Sequence, residues 1–360
     1  MKCFVKVFAI SFIFFVLLFS GVLIAIFEKV EKAIESHEAV ILVDGKEDVE
    51  EKNNTIKISF AGDCTIGYDE RSSYAYSLPF VLEKQNNNYG YFFEKVKPVF
   101  EKDDLTIVNL ENPFTTSIKR RDKQFCFKGE LSYANILRAG SIEMVNIANN
   151  HIYDYSKEGF LDTIQILKNA NIYYSGENYI AYYEVRDITI ASIGYRGWST
   201  YIKPNVSRDI KKAKEKADIV LVSFHWGDEN KNYPNDVQKN LGRFAIDEGA
   251  DIVVGHHPHV IQGIEKYKGK YIVYSLGNFC FGGNKNPRDK DTFIFQGEFT
   301  VIDKKITKIQ GNIIPCSISS VNNINNYQPT ILEGDEKQRV LNRIYDYSNK
   351  LKYGISPREI

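Results

Sequence analysis

The 360-residue chain has six histidines, and five of them fall where an apolar run gives way to a polar cluster. His151 ends Asn149-Asn150-His151, with Asp154 beyond. His225 opens His225-Trp226-Gly227-Asp228-Glu229, and three more crowd into Gly255-His256-His257-Pro258-His259. Other runs end on acids or amides: Asp63 after Gly62, Glu111 before Asn112-Pro113, and Asn278 after Gly277. Asp, Glu, Asn and His without organised cysteines make an oxygen and nitrogen ligand set, suited to Mn, Fe or Zn. A carboxylate shared by two such ions, with imidazoles around it, clamps an oxyanion during in-line displacement. Each cluster taken singly has a structural use. Asp63 caps a helix, Glu111 is a loop acid, His225 is a satisfied core imidazole, Asn149 and Asn150 make a turn, and Gly277-Asn278 shape another. Three imidazoles in four residues at a strand end have few such uses, so together the clusters point to a metal or former metal site.

The elements that would position these residues follow from the apolar pattern. Short β-rich runs at 56–61 (IKISFA), 105–110 (LTIVNL), 144–147, 188–193 (ITIASI), 218–224 (DIVLVSF), 252–254 and 271–274 alternate with helical stretches such as 157–170 and 235–248, the pattern of an α/β fold. In such sheets the ligand crevice lies at the carboxyl ends of the strands, where all these clusters would converge. Residues 293–301 and 306–314 read as an antiparallel hairpin about Asp303-Lys304-Lys305. An Asn-rich loop then leads to an amphipathic helix at 333–352.

Composition narrows the class. Lys and Arg (46) balance Asp and Glu (46), so nothing favours general nucleic-acid binding, which needs a basic face. Cys3, Cys64, Cys126, Cys280 and Cys316 are odd in number and lack a CxxC, signalling neither a zinc knuckle nor a disulfide scaffold. Cys64 beside Asp63 is a weak nucleophile candidate with no evident base. There is no GxSxG, GxxxxGK[ST] or GxGxxG, so serine hydrolase, nucleotide kinase and Rossmann dehydrogenase readings lack support. Residues 7–27 (VFAISFIFFVLLFSGVLIAIF) carry no charge and match the roughly 20 residues that cross a bilayer as a helix. Lys2 and Lys6 before the run put the tip, 1–6, in the cytoplasm and the rest outside. The run is longer than a signal-peptide core and no small-x-small site follows, which favours an uncleaved single-pass anchor in the cell membrane. Residues 28–54 are charged and read as a stalk, with His37 a solvated residue of it. The main domain is then 55–320.

The ordered motifs FAGDCTIG, VNLENP, ANNHIYDY, SFHWGDE, VVGHHPHVIQG and YSLGNF, over 56–281, resemble the CapA family of poly-γ-glutamate capsule biosynthesis proteins, in the calcineurin-like metallophosphoesterase superfamily. The resemblance implies a four-layer fold, a metallophosphoesterase-like β-sandwich flanked by helices, behind one N-terminal membrane helix. It makes Asp63 a ligand of one ion, Glu111 the bridge, Asn150 and His225 ligands of the second ion, and His257 and His259 one ligand for each. His151 becomes the acid or oxyanion clamp. His256, Asn149, Asp154, Glu229 and Asn278 are accessory candidates. Two departures stand out: Thr65 occupies a position where the superfamily has histidine, and the bridge is Glu rather than Asp. The first ion is therefore short of a ligand, and one or two divalent ions are expected. The implied partners are poly-γ-glutamate or a similar anionic polymer, membrane synthase subunits and the membrane itself. Basic runs at 119–123 and 211–216 read first as solvated faces, with guidance of a polyanion as the alternative. Three functions stay open: a capsule assembly or export protein, a metal-dependent hydrolase of an envelope phosphoester or amide with His151 as acid, and a metal-free polymer-binding module.

Overall fold

The computed structural model describes residues 54–360. The expected tip 1–6, span 7–27 and stalk 28–54 up to residue 53 lie outside the described residues. Among the described residues, no helix is long and apolar enough to cross a membrane. Asn54 already belongs to the first strand.

The first half of the domain runs β1 (Asn54–Thr65), α1 (Leu78–Lys84), α2 (Lys97–Phe100), β2 (Leu105–Leu110), α3 (Ala134–Ala139), β3 (Met144–Asn146), α4 (Ser156–Asn169) and β4 (Tyr173–Ser175). There follow β5 (Ile180–Val185), β6 (Ile188–Arg196), α5 (Lys203–Lys214), β7 (Ile219–His225), α6 (Asp236–Glu248), β8 (Ile252–His256), β9 (Ile264–Tyr267) and β10 (Lys270–Val273). The chain closes with β11 (Asn278–Phe281), β12 (Asp291–Ile302), β13 (Lys305–Ser317), β14 (Thr330–Ile331) and α7 (Gly334–Ser348).

Two mixed sheets organise these elements. One has the order β14-β13-β12-β1-β2-β3-β4 with β11 beside β1, and the other the order β5-β6-β7-β8-β10-β9. Strands β1 to β4 are mutually parallel, as are β6, β7, β8 and β10. Strand alternation sorts the apolar residues into three cores. Ile56, Ile58, Leu105, Ile107, Leu221, Val254 and Phe295 meet between the sheets. Val108, Leu110 and Val145 face outward against Leu82 of α1, Leu137 of α3 and Ile164 of α4. Val220, Val222 and Phe224 face α5 and α6 through Ile210 and Leu241. Helices, sheet, sheet and helices thus stack in four layers. The expected C-terminal helix appears as α7, whose Val340 and Ile344 enter the core between the sheets. Local chemistry sets some boundaries: Asn235 and Gln238 form a capping box at the start of α6, and Gly249 ends it at φ +116°.

The lower rim of the first sheet carries two strained acids. Burial raises Asp103 to about 6, helped by Asp104, and raises Glu143 to about 7, helped by Asp103. Both lie above their unfolded values, so folding retains protons that the unfolded chain releases, and stability falls as pH rises from about 4 to about 7. Glu143→Gln is therefore expected to leave stability unchanged near pH 4 and to raise it by ~1–2 kcal/mol near pH 8, after allowance for screening. Urea midpoints at the two pH values check this, and equal midpoints at both would contradict it.

Candidate metal centre

Parallel strands of both sheets end along one edge, and the phase of each strand decides what it delivers there. In β7, Ile219 and Leu221 face the inter-sheet core while Val220, Val222 and Phe224 face the helices, so His225 falls on the inner side. In β8 the inner row Ile252 and Val254 continues to His256. Strand β1 needs a correction. Its inner row is Ile56, Ile58 and Phe60, and unbroken alternation would aim Asp63 at the helices. Instead Phe60 pairs with Ile107 and Asp63 with Asn109, a register shift of one extra residue in β1. This bulge re-phases the strand and turns Asp63 inward. Gly62 permits it, because a Cβ there would lie 2.0 Å from the Gly277 carbonyl oxygen.

The sequence-derived residues assemble into adjoining sets. Asp63, Glu111 and His259 form one group and Glu111, His225 and His257 a second, the ligand atoms in each lying within 4.8 Å of one another. Glu111 is common to both. Its Oε1 is 3.4 Å from His225 Nε2 and 3.8 Å from His259 Nε2. Asn150 joins the second group through its Oδ1, 2.7 Å from His225 Nε2. Glu229, exposed, makes a third group with His257 and His259. The chain reverses sharply after β8, with His257 at φ +96° and His259 at φ +58°, a conformation found where function constrains backbone.

Other candidates support rather than join these groups. Asn149 Nδ2 donates to the Leu110 carbonyl at 2.8 Å, and its Oδ1 accepts from His151 N. Asn278 Oδ1 lies 2.9 Å from His259 Nδ1. His256 Nδ1 is 3.5 Å from Asp63 Oδ1, outside all three groups. His151 Nδ1 is 2.6 Å from Asp154 Oδ2. Thr65 is fully buried, and its hydroxyl finds no hydrogen-bond partner.

The donor set fits a cation. Glu111 is completely buried, yet neither carboxylate oxygen accepts a hydrogen bond, and His257 Nδ1 is likewise unpaired. Buried polar atoms are normally satisfied, so this lining suits an electrophile. Burial and the neighbouring Asp63 push the Glu111 carboxyl well above the usual range. Burial also opposes ionisation of Asp63, but hydrogen bonds and charge from His256 and His259 outweigh it and hold that carboxyl well below. Against its own burial, His259 is raised to about 10 by Glu111 and Asp63. Burial and His259 lower His257 to about 4, and burial with His257 lowers His225.

Several contributors escaped the sequence reading. Asn109 donates to Asp63 Oδ1 at 2.8 Å and accepts from Asn146 Nδ2, so an amide chain ties β1, β2 and β3 behind the acids. Its inner phase, continuing Leu105 and Ile107, was the available signal. Lys123 sits 2.7 Å from Asp154 Oδ1 and donates to the Asn150 carbonyl. Trp198 packs edge-on against His257 at 4.7 Å. Two minor alternatives lose ground. The basic run 119–123 is split: Arg120 pairs with Asp69 at 3.1 Å and Lys123 turns to Asp154, while Lys119 and Arg121 stay exposed. Cys64 is no nucleophile, because complete burial drives its thiol far above the usual range. The four described cysteines are all free and buried.

Comparison with known proteins agrees with the motif order. "PGA biosynthesis protein CapA" of Bacillus subtilis is 35% identical over 254 residues, covering 64% of each chain. "Capsule biosynthesis protein CapA" of Bacillus anthracis is 34% identical over 241 residues, covering 58% of each. The chain thus aligns with less than two thirds of either relative's length. Among solved structures, the 5'-nucleotidase of Candida albicans superposes with a TM-score of 0.41 at 11% identity, over 82% of this chain and 58% of that one. The profile described as "Bacterial capsule synthesis protein PGA_cap" matches residues 57–283, well over half of the chain, and the protein belongs to that family.

Proposed function

We propose that the protein is a membrane-anchored, extracytoplasmic component of poly-γ-glutamate capsule assembly or export, whose metal centre handles polymer at the outer surface. The carrying observation is membership of the capsule synthesis family, with relatives named for capsule and PGA biosynthesis. The anchor is the uncharged run 7–27, and synthase subunits in the same membrane are the proposed partners. A second reading, a metal-dependent hydrolase of an envelope phosphoester or amide, is favoured by the Glu111 carboxylate common to two ligand groups. A metal-free binding module is disfavoured by the bare, buried Glu111 oxygens.

Asp63, Glu111 and His259 would hold one divalent ion, and Glu111, His225, His257 and Asn150 the other. The second set has more ligands and suits Zn, Mn or Fe, while the first lacks the imidazole that Thr65 replaces. Divalent ions bound there would polarise a carbonyl or phosphoryl oxygen and acidify a water. The chain's own side chains do the rest. Asp154 engages Nδ1 of His151 and leaves Nε2 as the nitrogen that exchanges protons with the substrate; burial lowers this imidazole, so Nε2 must take up a proton before it gives one to a leaving group. Lys123 pairs with Asp154 and holds that carboxylate in place. Asn109 fixes Asp63 from behind, and Trp198 shields His257 from water on one side.

Complementation tests the proposal. In a capsule-forming host deleted for its own family member, this chain should restore polymer amount, length and surface attachment, whereas His225→Ala should restore little. Unchanged polymer in the deleted host, or full rescue by His225→Ala, would overturn it.

A further inference from the structure

Beside the metal centre lies a cavity of about 480 Å3 lined by Phe125, Phe127, His151, His259, Phe281 and Arg288 among others. Its walls combine two chemistries. Phe125 and Phe127 stack at 6.4 Å, Phe127 continues onto the His151 ring at 4.5 Å, and Phe281 packs against His259 at 4.9 Å. Aromatic surface therefore runs from an open rim, where Phe125 is 51% exposed, to the proposed proton donor and a proposed ligand.

The charged component is Arg288. Its neighbours on the same loop are all engaged. Asp289 pairs with Arg343 at 2.7 Å and Asp291 with Arg339 at 2.7 Å. Lys285 donates to the Ser73 and Ala75 carbonyls, and Lys290 to those of Asn322 and Ile324. Arg288 is exposed and makes no hydrogen bond or ion pair among the described residues. Two acids line the same cavity: Asp289, held by Arg343, and Glu229, which stands with His257 and His259. An unengaged guanidinium is a planar fork matched to a carboxylate, and an aromatic wall beside it favours methylene groups over water.

We propose that this cavity is the subsite for a unit adjoining the reacting bond of a carboxylate-bearing polyamide, with Arg288 gripping the side carboxylate and the phenylalanines covering the methylenes. The inference rests on the capsule-polymer reading above and assigns its specificity to named residues. An inorganic polyphosphate offers the charge without the methylenes and uses only half of the cavity.

Fluorescence anisotropy of a labelled γ-linked glutamate oligomer, titrated with the full chain, tests it. Arg288→Ala is expected to weaken binding roughly tenfold or more, with Arg288→Lys intermediate and Phe125→Ser severalfold weaker than wild type. Metal content and melting temperature should be unchanged in all three. Wild-type affinity in Arg288→Ala would overturn the subsite and leave the capsule reading standing, whereas no binding by the wild type would overturn both. Equal affinity for a polyphosphate of matched charge would overturn the choice of polyamide.

Discussion

Replacing Glu111 by glutamine is expected to abolish metal-dependent stabilisation of the protein while leaving it folded. The two ligand groups that include Glu111 share no other residue, so this one change removes a ligand from each. Loss of a supporting partner alone typically weakens metal affinity by about 10- to 100-fold, and loss of a shared ligand should exceed that. With free Zn or Mn about a hundredfold above its dissociation constant, the wild type should gain ~2.7 kcal/mol, and Glu111→Gln close to none. The metal-free variant should unfold no more easily than the metal-free wild type, because burial and Asp63 already make the charged form of Glu111 unfavourable. Thermal unfolding with and without added ion, with metal content by mass spectrometry, gives the readout. A full metal-induced shift in the variant would show that Glu111 holds no ion.

The pH dependence of that binding has a definite sign. Glu111 is raised and His259 is raised to about 10, so both must release a proton to act as ligands, whereas His257 at about 4 is already neutral. Metal uptake should therefore release protons and weaken as pH falls.

Gly62→Ala is expected to damage the fold and the site together. Its Cβ would sit 2.0 Å from the Gly277 carbonyl oxygen and 2.9 Å from the carbonyl carbon. Those are backbone atoms, and Asp63 N donates to the same oxygen at 2.9 Å, so neither partner can yield without breaking β1 from the segment before β11. Overpacking of a rigid contact costs ~1–3 kcal/mol or more, and backbone against backbone belongs at the upper end. The strand would relieve the clash by losing its bulge, which turns Asp63 away from His259. The variant should therefore lose both stability and metal uptake. Gly269→Ala is the control, since a Cβ there meets nothing within 4 Å and φ +78° imposes only local strain. Denaturation midpoints and metal content compare the two. A variant of Gly62 as stable as wild type would contradict the bulge as the device that orients Asp63.

Much of the centre could be read from residue type and order. Histidine is scarce, so five imidazoles at the ends of apolar runs were informative, and the runs 105–110, 188–193 and 218–224 overlap β2, β6 and β7. Short elements escaped. Strands β4, β9 and β11 have three or four residues each, too few to show a period, and tertiary pairing holds them in place. Asn109 was hidden for another reason: inside VNLENP it looks like one polar residue in a strand, and only the facing Asp63 and Asn146 give it work.

The sequence by itself determined the chemistry available: an oxygen and nitrogen donor set, an α/β frame and an uncharged run at 7–27, because composition and local periodicity are properties of the chain alone. Tertiary structure decided which donors meet. The bulge at Gly62, the reversal through His257 and His259, and the closing of two sheets along one edge place Glu111 in both ligand groups. They also draw Lys123 inward and leave Arg288 unengaged. Strand register and long-range packing set these outcomes, through contacts between residues as far apart as Asp63 and His259, which no local pattern encodes.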